Sequence, residues 1–119
     1  MSRLPQEFRD RTKRFASRII QLFVQLPKAR EEVCVLGRQM LRSGTSVAGQ
    51  VREASRARSN AEFKSKLGGA SQEADETQLW LELLREDCKI DAKITAPIEQ
   101  EASELLAIMA TMITRTGEN

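Results

Sequence analysis

An all-α, up-down-up-down antiparallel four-helix bundle is the fold predicted by this chain of 119 residues, and three observations predict it. Aromatic residues make up only 4% of the chain, tyrosine and histidine are absent, and Ala, Leu, Arg, Glu and Ser are frequent, which favours helices over a sheet. Apolar residues recur every three or four positions over four long stretches. The breaks between those stretches are short, and short connections make consecutive helices antiparallel neighbours. The length suits a single domain, residues 1–119, with helices at about 5–26, 28–56, 60–88 and 97–114.

The first helix carries Phe8, Phe15, Ile19, Leu22 and Leu26 on one stripe, widened by Ile20, Phe23 and Val24. Pro27 restricts Leu26 to extended geometry and suits the opening of a following helix, so Leu26-Pro27-Lys28 reads as a tight junction. Glu31 and Glu32 complement the positive end of the second helix, which presents Val33, Leu36, Met40, Val47, Val51 and Ala54 inward. Ser59-Asn60-Ala61-Glu62 has the form of a capping box and starts the third helix. That helix holds the cleanest heptad of the chain, Phe63, Leu67, Ala70, Ala74, Thr77, Leu81 and Leu84, with Leu79, Trp80 and Leu83 beyond it. Lys89 to Thr95 breaks the pattern. Pro97 then fits the first turn of a last helix with Ile98, Ala102, Leu105, Met109 and Met112 inward, and Thr114 to Asn119 reads as a frayed tail.

Two runs of small residues interrupt this pattern: Ser43-Gly44-Thr45-Ser46 with Ala48-Gly49, and Gly68-Gly69-Ala70-Ser71. A glycine inside a helix costs roughly 1 kcal/mol relative to alanine, so close backbone approach is the expected return. A hairpin turning at residues 57 to 60 sets Gly49 level with Gly68 and Ser46 level with Ser71. The same register sets Arg42 beside Asp75 and Glu76, and Glu53 beside Lys64, as cross-helix ion pairs.

Charge divides unevenly along the chain. Residues 1–60 hold 13 Lys+Arg against 5 Asp+Glu, a net +8, and residues 61–119 hold 6 against 12, a net −6. Either the halves attract each other within or between subunits, or the basic half faces a polyanion. Arg9, Arg11, Lys13, Arg14 and Arg18 lie on the first helix, and Arg52, Arg56 and Arg58 cluster at the end of the second. Arg14, Arg18, Arg52, Arg56 and Arg58 are the candidates for phosphate contact. Exposed helices are also ordinarily rich in arginine, and the aromatics are committed to the core pattern.

Other chemistry finds little footing. A di-iron bundle needs Glu-x-x-His pairs, and this chain has no histidine. Glu53, Glu73 and Glu76 are better read as salt-bridge partners than as cation ligands. Ser43, Thr45, Ser46 and Ser71 lack a histidine base, and no phosphate-binding glycine loop or dinucleotide fingerprint occurs. No catalytic residue, metal, cofactor or small-molecule substrate is therefore expected, and an enzyme is not expected. The amino terminus lacks the apolar stretch of a signal peptide, no segment reaches the length of a membrane span, and Cys34 and Cys88 are too far apart for a CxxC pair. These point to the cytoplasm, with both thiols free and packed as small hydrophobes.

The string RSGTSVAGQVREASRARSNAEFKSKLGGASQEADETQLWLELL, residues 42–84, resembles the small four-helix-bundle proteins first noted as products of intervening sequences in bacterial 23S ribosomal RNA genes. FASRIIQLFVQLPKAREEVCVLGRQMLRS resembles that family's opening, so nearly the whole chain is covered. The family-like positions are Arg42, Ser43, Gly44, Thr45, Ser46, Ala48, Gly49, Glu53, Gly68, Ser71, Glu73 and the Glu76–Leu84 string with Trp80; Gln50 stands where asparagine is more usual. The resemblance extends to the accessory protein of diversity-generating retroelements and implies a homopentamer, no established enzymatic activity, and a proposed role with nucleic acid or a nucleic-acid enzyme.

Two functions stay open. One is a non-catalytic oligomer that binds structured RNA or DNA through the basic surface of the first two helices. The alternative is a structural or adaptor protein that works through protein contacts alone, its charge asymmetry serving subunit assembly.

Overall fold

In a computed structural model, residues 2–117 form four helices: α1 Gln6–Gln25, α2 Glu31–Ser55, α3 Asn60–Glu86 and α4 Ala92–Arg115. No strand occurs among the described residues, and Glu118 and Asn119 of the expected tail lie outside them. The helices pack antiparallel in chain order around one core, giving a rod of 52 × 20 × 19 Å. Contact is most extensive between α2 and α3, and thinnest between α1 and α4.

Periodicity accounts for the core. All five α1 stripe residues and all seven heptad positions of α3 are buried, and Ile98, Ala102, Leu105 and Met109 supply α4's share. Ile20 and Val24, which widened the α1 stripe, are exposed instead, at 46% and 67%.

Each end of a helix is settled locally. Lys28 Nζ donates to the Phe23, Val24 and Leu26 carbonyls at 3.1–3.2 Å, satisfying acceptors that the end of α1 leaves open. The junction therefore runs on to Arg30. α2 begins at Glu31, later than the expected residue 28, because Pro27 ends α1 and does not open α2. Ser59 Oγ accepts from the Glu62 amide at 3.0 Å, the expected serine cap of α3. α3 stops at Glu86, two residues short of expectation, and Lys89 adopts a left-handed φ of 61°. For a lysine that conformation costs about 1 kcal/mol, and Lys89 Nζ answers with a 2.8 Å bond to the Glu86 carbonyl.

The start of α4 departs furthest from expectation. It begins at Ala92, where Asp91 caps the Lys93 amide at 2.9 Å, so Pro97 lies inside the helix and not in its first turn. A proline there forgoes one backbone bond, tolerable because both Pro97 and Lys93 are exposed to water. Thr95, fully buried, belongs to the core stripe that the sequence pattern had started at Ile98.

The glycines correct the expected register. The buried Ser43 and Thr77 hydroxyls meet at 2.7 Å, Gln50 lies over Gly69, and Glu53 pairs with Lys66 rather than Lys64. The helices are thus offset by about two residues from the predicted alignment, and each residue of slip turns a position by about 100°. Gly49 and Gly68 consequently do not meet; a Cβ added at either finds no atom within 4 Å. Ser71 does not face Ser46 either: it shares the stripe of Gln78 and Arg85, both of which bond to Glu99 of α4.

Close approach occurs instead between α1 and α2. A Cβ on Gly44 would lie 2.8 Å from Ile19 Cγ1 and 2.9 Å from Cγ2, and one on Gly37 would lie 2.9 Å from Leu26 Cδ1. Ile19 is fully buried and β-branched, so it has little freedom to yield. Gly44→Ala is expected to lower stability, because overpacking costs about 1–3 kcal/mol and helix propensity returns only about 1 kcal/mol. Gly49→Ala and Gly68→Ala, in open space, should each raise it by roughly 0.5–1 kcal/mol. Urea midpoints of the three variants check the opposite signs.

Candidate functional site

The last turn of α2 and the turn after it concentrate positive charge. Arg52 and Arg56 lie one helical turn apart and Arg58 follows in the turn, all exposed. With Gly49, Glu53, Glu62 and Lys66 they line a groove of about 420 Å³. Lys66 Nζ is 3.1 Å from Glu53 Oε1, an exposed pair that neutralises one carboxylate at little gain in stability. Gly49, freed from its expected packing role, keeps this groove open because it projects nothing into it.

Arg52 also borders a second, narrower groove of about 140 Å³ between α1 and α2, which Arg9 and Lys13 share with Thr12, Ala48, Val51 and the Asp10 carboxylate, the last accepting from Gln6 at 2.8 Å. Joined at Arg52, the two grooves make one net-basic strip in which Arg9, Lys13, Arg52, Arg56, Arg58 and Lys66 outnumber Asp10, Glu53 and Glu62. Arg9 Nε is buried with no hydrogen-bond partner among the described residues.

The five arginines expected at a phosphate interface therefore divide. Arg52, Arg56 and Arg58 come together. Arg14 and Arg18 share a stripe with Arg11, whose guanidinium makes two 2.8 Å bonds to Glu101 and a 2.9 Å bond to Glu104 of α4. Those bonds hold the Glu101 carboxyl below its ordinary range, and the charges of Arg18 and Arg14 add to the effect. Arg14 and Arg18 thus belong to the α1–α4 seam, on another flank of the rod. Arg9, Lys13 and Lys66 take their place in the strip. The available signal was spacing: Arg9 and Lys13 are four apart, as are Arg14 and Arg18, but on different sides of α1.

Among the family-like positions, Arg42, Ser43, Gln50, Glu53, Glu73 and Glu76 line the α2–α3 seam, whereas Gly44 faces Ile19 of α1. Arg42 reaches Glu73 at 3.1 Å and Glu76 at 3.4 Å, so Glu76 is a partner as expected and Glu73 replaces Asp75. Gln50 packs over Gly69, which has no side chain to displace it. Trp80 is half-buried, on the stripe of Glu73 and Glu76, and its Nε1 is buried without a partner among the described residues. Ser43 and Thr45 hydroxyls are engaged with Thr77 and the Leu41 carbonyl, and Ser46 is half-buried beside them. Cys34 and Cys88 are both free; Cys88 is buried, which pushes its thiol up, and half-buried Cys34 donates to the Lys28 carbonyl at 3.3 Å. Among the described residues no three His, Cys, Asp or Glu side chains converge, and no helix is long and apolar enough to cross a membrane.

The model of one protein family, the 23S rRNA-intervening sequence protein, matches residues 6–111. Among solved structures, the chain is similar to a protein of unknown function from the S23 ribosomal protein family of Bacteroides thetaiotaomicron VPI-5482. The two are 35% identical, the match covers 89% of this chain and 97% of that one, and the TM-score is 0.81. No curated protein matches the chain.

Glu101 and Glu99, bonded to Arg11 and Arg85, both hold their protons less tightly when folded than the ordinary value of 4.5. Their contribution to stability is complete above pH 4.5 and is lost as pH falls through the lowered folded values. Urea midpoints measured from pH 6 down to pH 3 should therefore fall more steeply for the wild type than for Glu101→Gln.

Proposed function

Because the chain belongs to the 23S rRNA-intervening sequence protein family, we propose that it is a non-catalytic, oligomeric helical bundle that binds structured RNA or DNA through phosphates. The observation that carries this reading is the continuous basic strip from Arg9 and Lys13 through Arg52 to Arg56, Arg58 and Lys66. Cations spaced along two joined grooves suit a chain of phosphates, and each neutralised phosphate adds a counterion-release gain that carries no sequence preference. Two free thiols fit the reducing cytosol as the place of action.

The oligomer in this reading is a homopentamer, by likeness to the family. Ile20, Val24, Val35 and Leu79, each at least 44% exposed, supply apolar surface that a lone rod would leave wet. The same surface favours the second reading, a scaffold or adaptor that makes protein contacts only, with charge holding the subunits together.

Binding to a structured RNA should fall about a hundredfold between 50 and 200 mM salt if some four phosphates are neutralised, measured by fluorescence anisotropy. Arg52→Glu with Arg56→Glu should weaken binding severely, whereas Arg14→Glu with Arg18→Glu, on the other flank, should change it little. No binding at 50 mM salt would leave the scaffold reading standing alone. Sedimentation velocity at 0.1 and 1 M NaCl separates the two accounts of assembly: an apolar interface keeps the pentamer intact, and a charge-held one dissociates.

A further inference from the structure

Next to the basic strip lies a groove of different character. It holds about 430 Å³ between the start of α1, the start of α3 and the end of α4, with Leu4, Pro5, Phe63 and Met112 beneath and Arg3 and Arg115 at its edges. Of the two arginines, one differs from those of the strip in a respect that matters. Arg3 is pinned: its backbone amide donates to the Ser55 carbonyl at 2.9 Å, Nε to the Ala57 carbonyl at 2.9 Å, and Nη1 to Asn60 Oδ1 at 2.9 Å. Its guanidinium also lies 5.9 Å from the centre of the Phe63 ring. Two side-chain hydrogen bonds and the aromatic ring favour one orientation of this guanidinium over swinging out to follow a phosphate. It presents a flat, oriented plate. The exposed cations Arg56 and Arg58 flank Ala57, the residue to which Arg3 is tied, so the plate adjoins the strip.

We propose that this groove receives an unpaired nucleotide at the end of a bound RNA, its base lying flat against the Arg3 plate and the Pro5 and Met112 surface while Arg115 faces its phosphate. Guanidinium planes stack on unpaired bases, and an apolar floor rewards a planar ring that a paired base inside a duplex cannot offer. Charge favours this occupant over a neutral one: cations stand at the groove's edges, and the strip continues from it. The proposal rests on the phosphate-binding reading and adds an end preference that phosphate contacts alone do not produce.

The test uses the full-length protein and two RNA hairpins, one with a flush end and one ending in two unpaired nucleotides, compared by anisotropy at 50 mM salt. The overhang should bind about fivefold tighter. Thr111→Glu, an exposed position on the groove wall, should erase that advantage while the flush hairpin stays within about twofold of its wild-type affinity. Arg52→Glu with Arg56→Glu should weaken both RNAs. Equal affinity for the two hairpins would overturn the groove's role and leave phosphate binding intact; no binding of either would overturn both. A Met112 methyl resonance that moves with decanoate but not with the overhang RNA would also overturn it, giving the groove to an apolar carboxylate.

Discussion

The contact between the Ser43 and Thr77 hydroxyls, 2.7 Å apart and out of water's reach, fixes how α2 sits on α3. Thr77 also donates to the Glu73 carbonyl at 2.7 Å, so Ser43 supplies the proton between the two hydroxyls and is tied through Thr77 to the α3 backbone, with the Met40 carbonyl of its own helix 3.4 Å away. Sliding either helix would forfeit this inter-helix hydrogen bond, at a cost of about 1 kcal/mol, while each hydroxyl keeps a carbonyl of its own helix within reach. Apolar heptads alone tolerate slips of a full repeat, whereas this polar pair favours one register. From it follow the Arg42 bridge to Glu73 and Glu76, the Gln50 contact with Gly69 and the Glu53–Lys66 pair.

That register also decides what the basic residues do. Arginines in the last turn of a helix are stabilised by its negative end whether or not they bind anything, and Arg52 is so placed. A purely structural cluster would pair off with the carboxylates nearby. Here Glu53 is paired with Lys66, and Arg52, Arg56 and Arg58 face one opening in which Glu62 is the other carboxylate. The lateral asymmetry of charge between the chain's halves thus resolves into two arrangements. On the α4 flank of α1, Arg11 is tied to Glu101 and Glu104; on the α2 flank, Arg9 and Lys13 face a groove.

Much of the fold was legible because burial follows period. The α3 heptad and the five-residue α1 stripe needed only spacing to be read, and the Ser59 cap only its own four residues. Information that depends on a neighbour was not local. Nothing in Ser43–Gly49 says whether its smooth face meets α1 or α3; Ile19 of α1 fills the notch at Gly44, and α3 meets the hydroxyl side at Ser43. Nor does the turn itself set the register: α2 ends at Ser55 and α3 starts at Asn60, an earlier turn that would by symmetry move the pairs the other way, yet Ser43 lies level with Thr77. Pro97 misled for a related reason: proline suits a first turn, yet the Asp91 cap and buried Thr95 carry enough for α4 to begin earlier. In the candidate site, Arg52, Arg56 and Arg58 could be grouped by proximity in sequence, but assigning Arg14 and Arg18 to another flank required knowing which side of α1 faces α4.

The uneven packing around the bundle has a dynamic consequence. Three helix pairs share broad apolar contact, while α1 and α4 touch sparingly and meet through the partly exposed Arg11–Glu101–Glu104 cluster. Opening free energies within a domain follow the apolar contact that each unit must give up. Breathing motions therefore begin along the α1–α4 edge, the rod unrolling like a sheet of four staves, with the α2–α3 hairpin the last part to come undone.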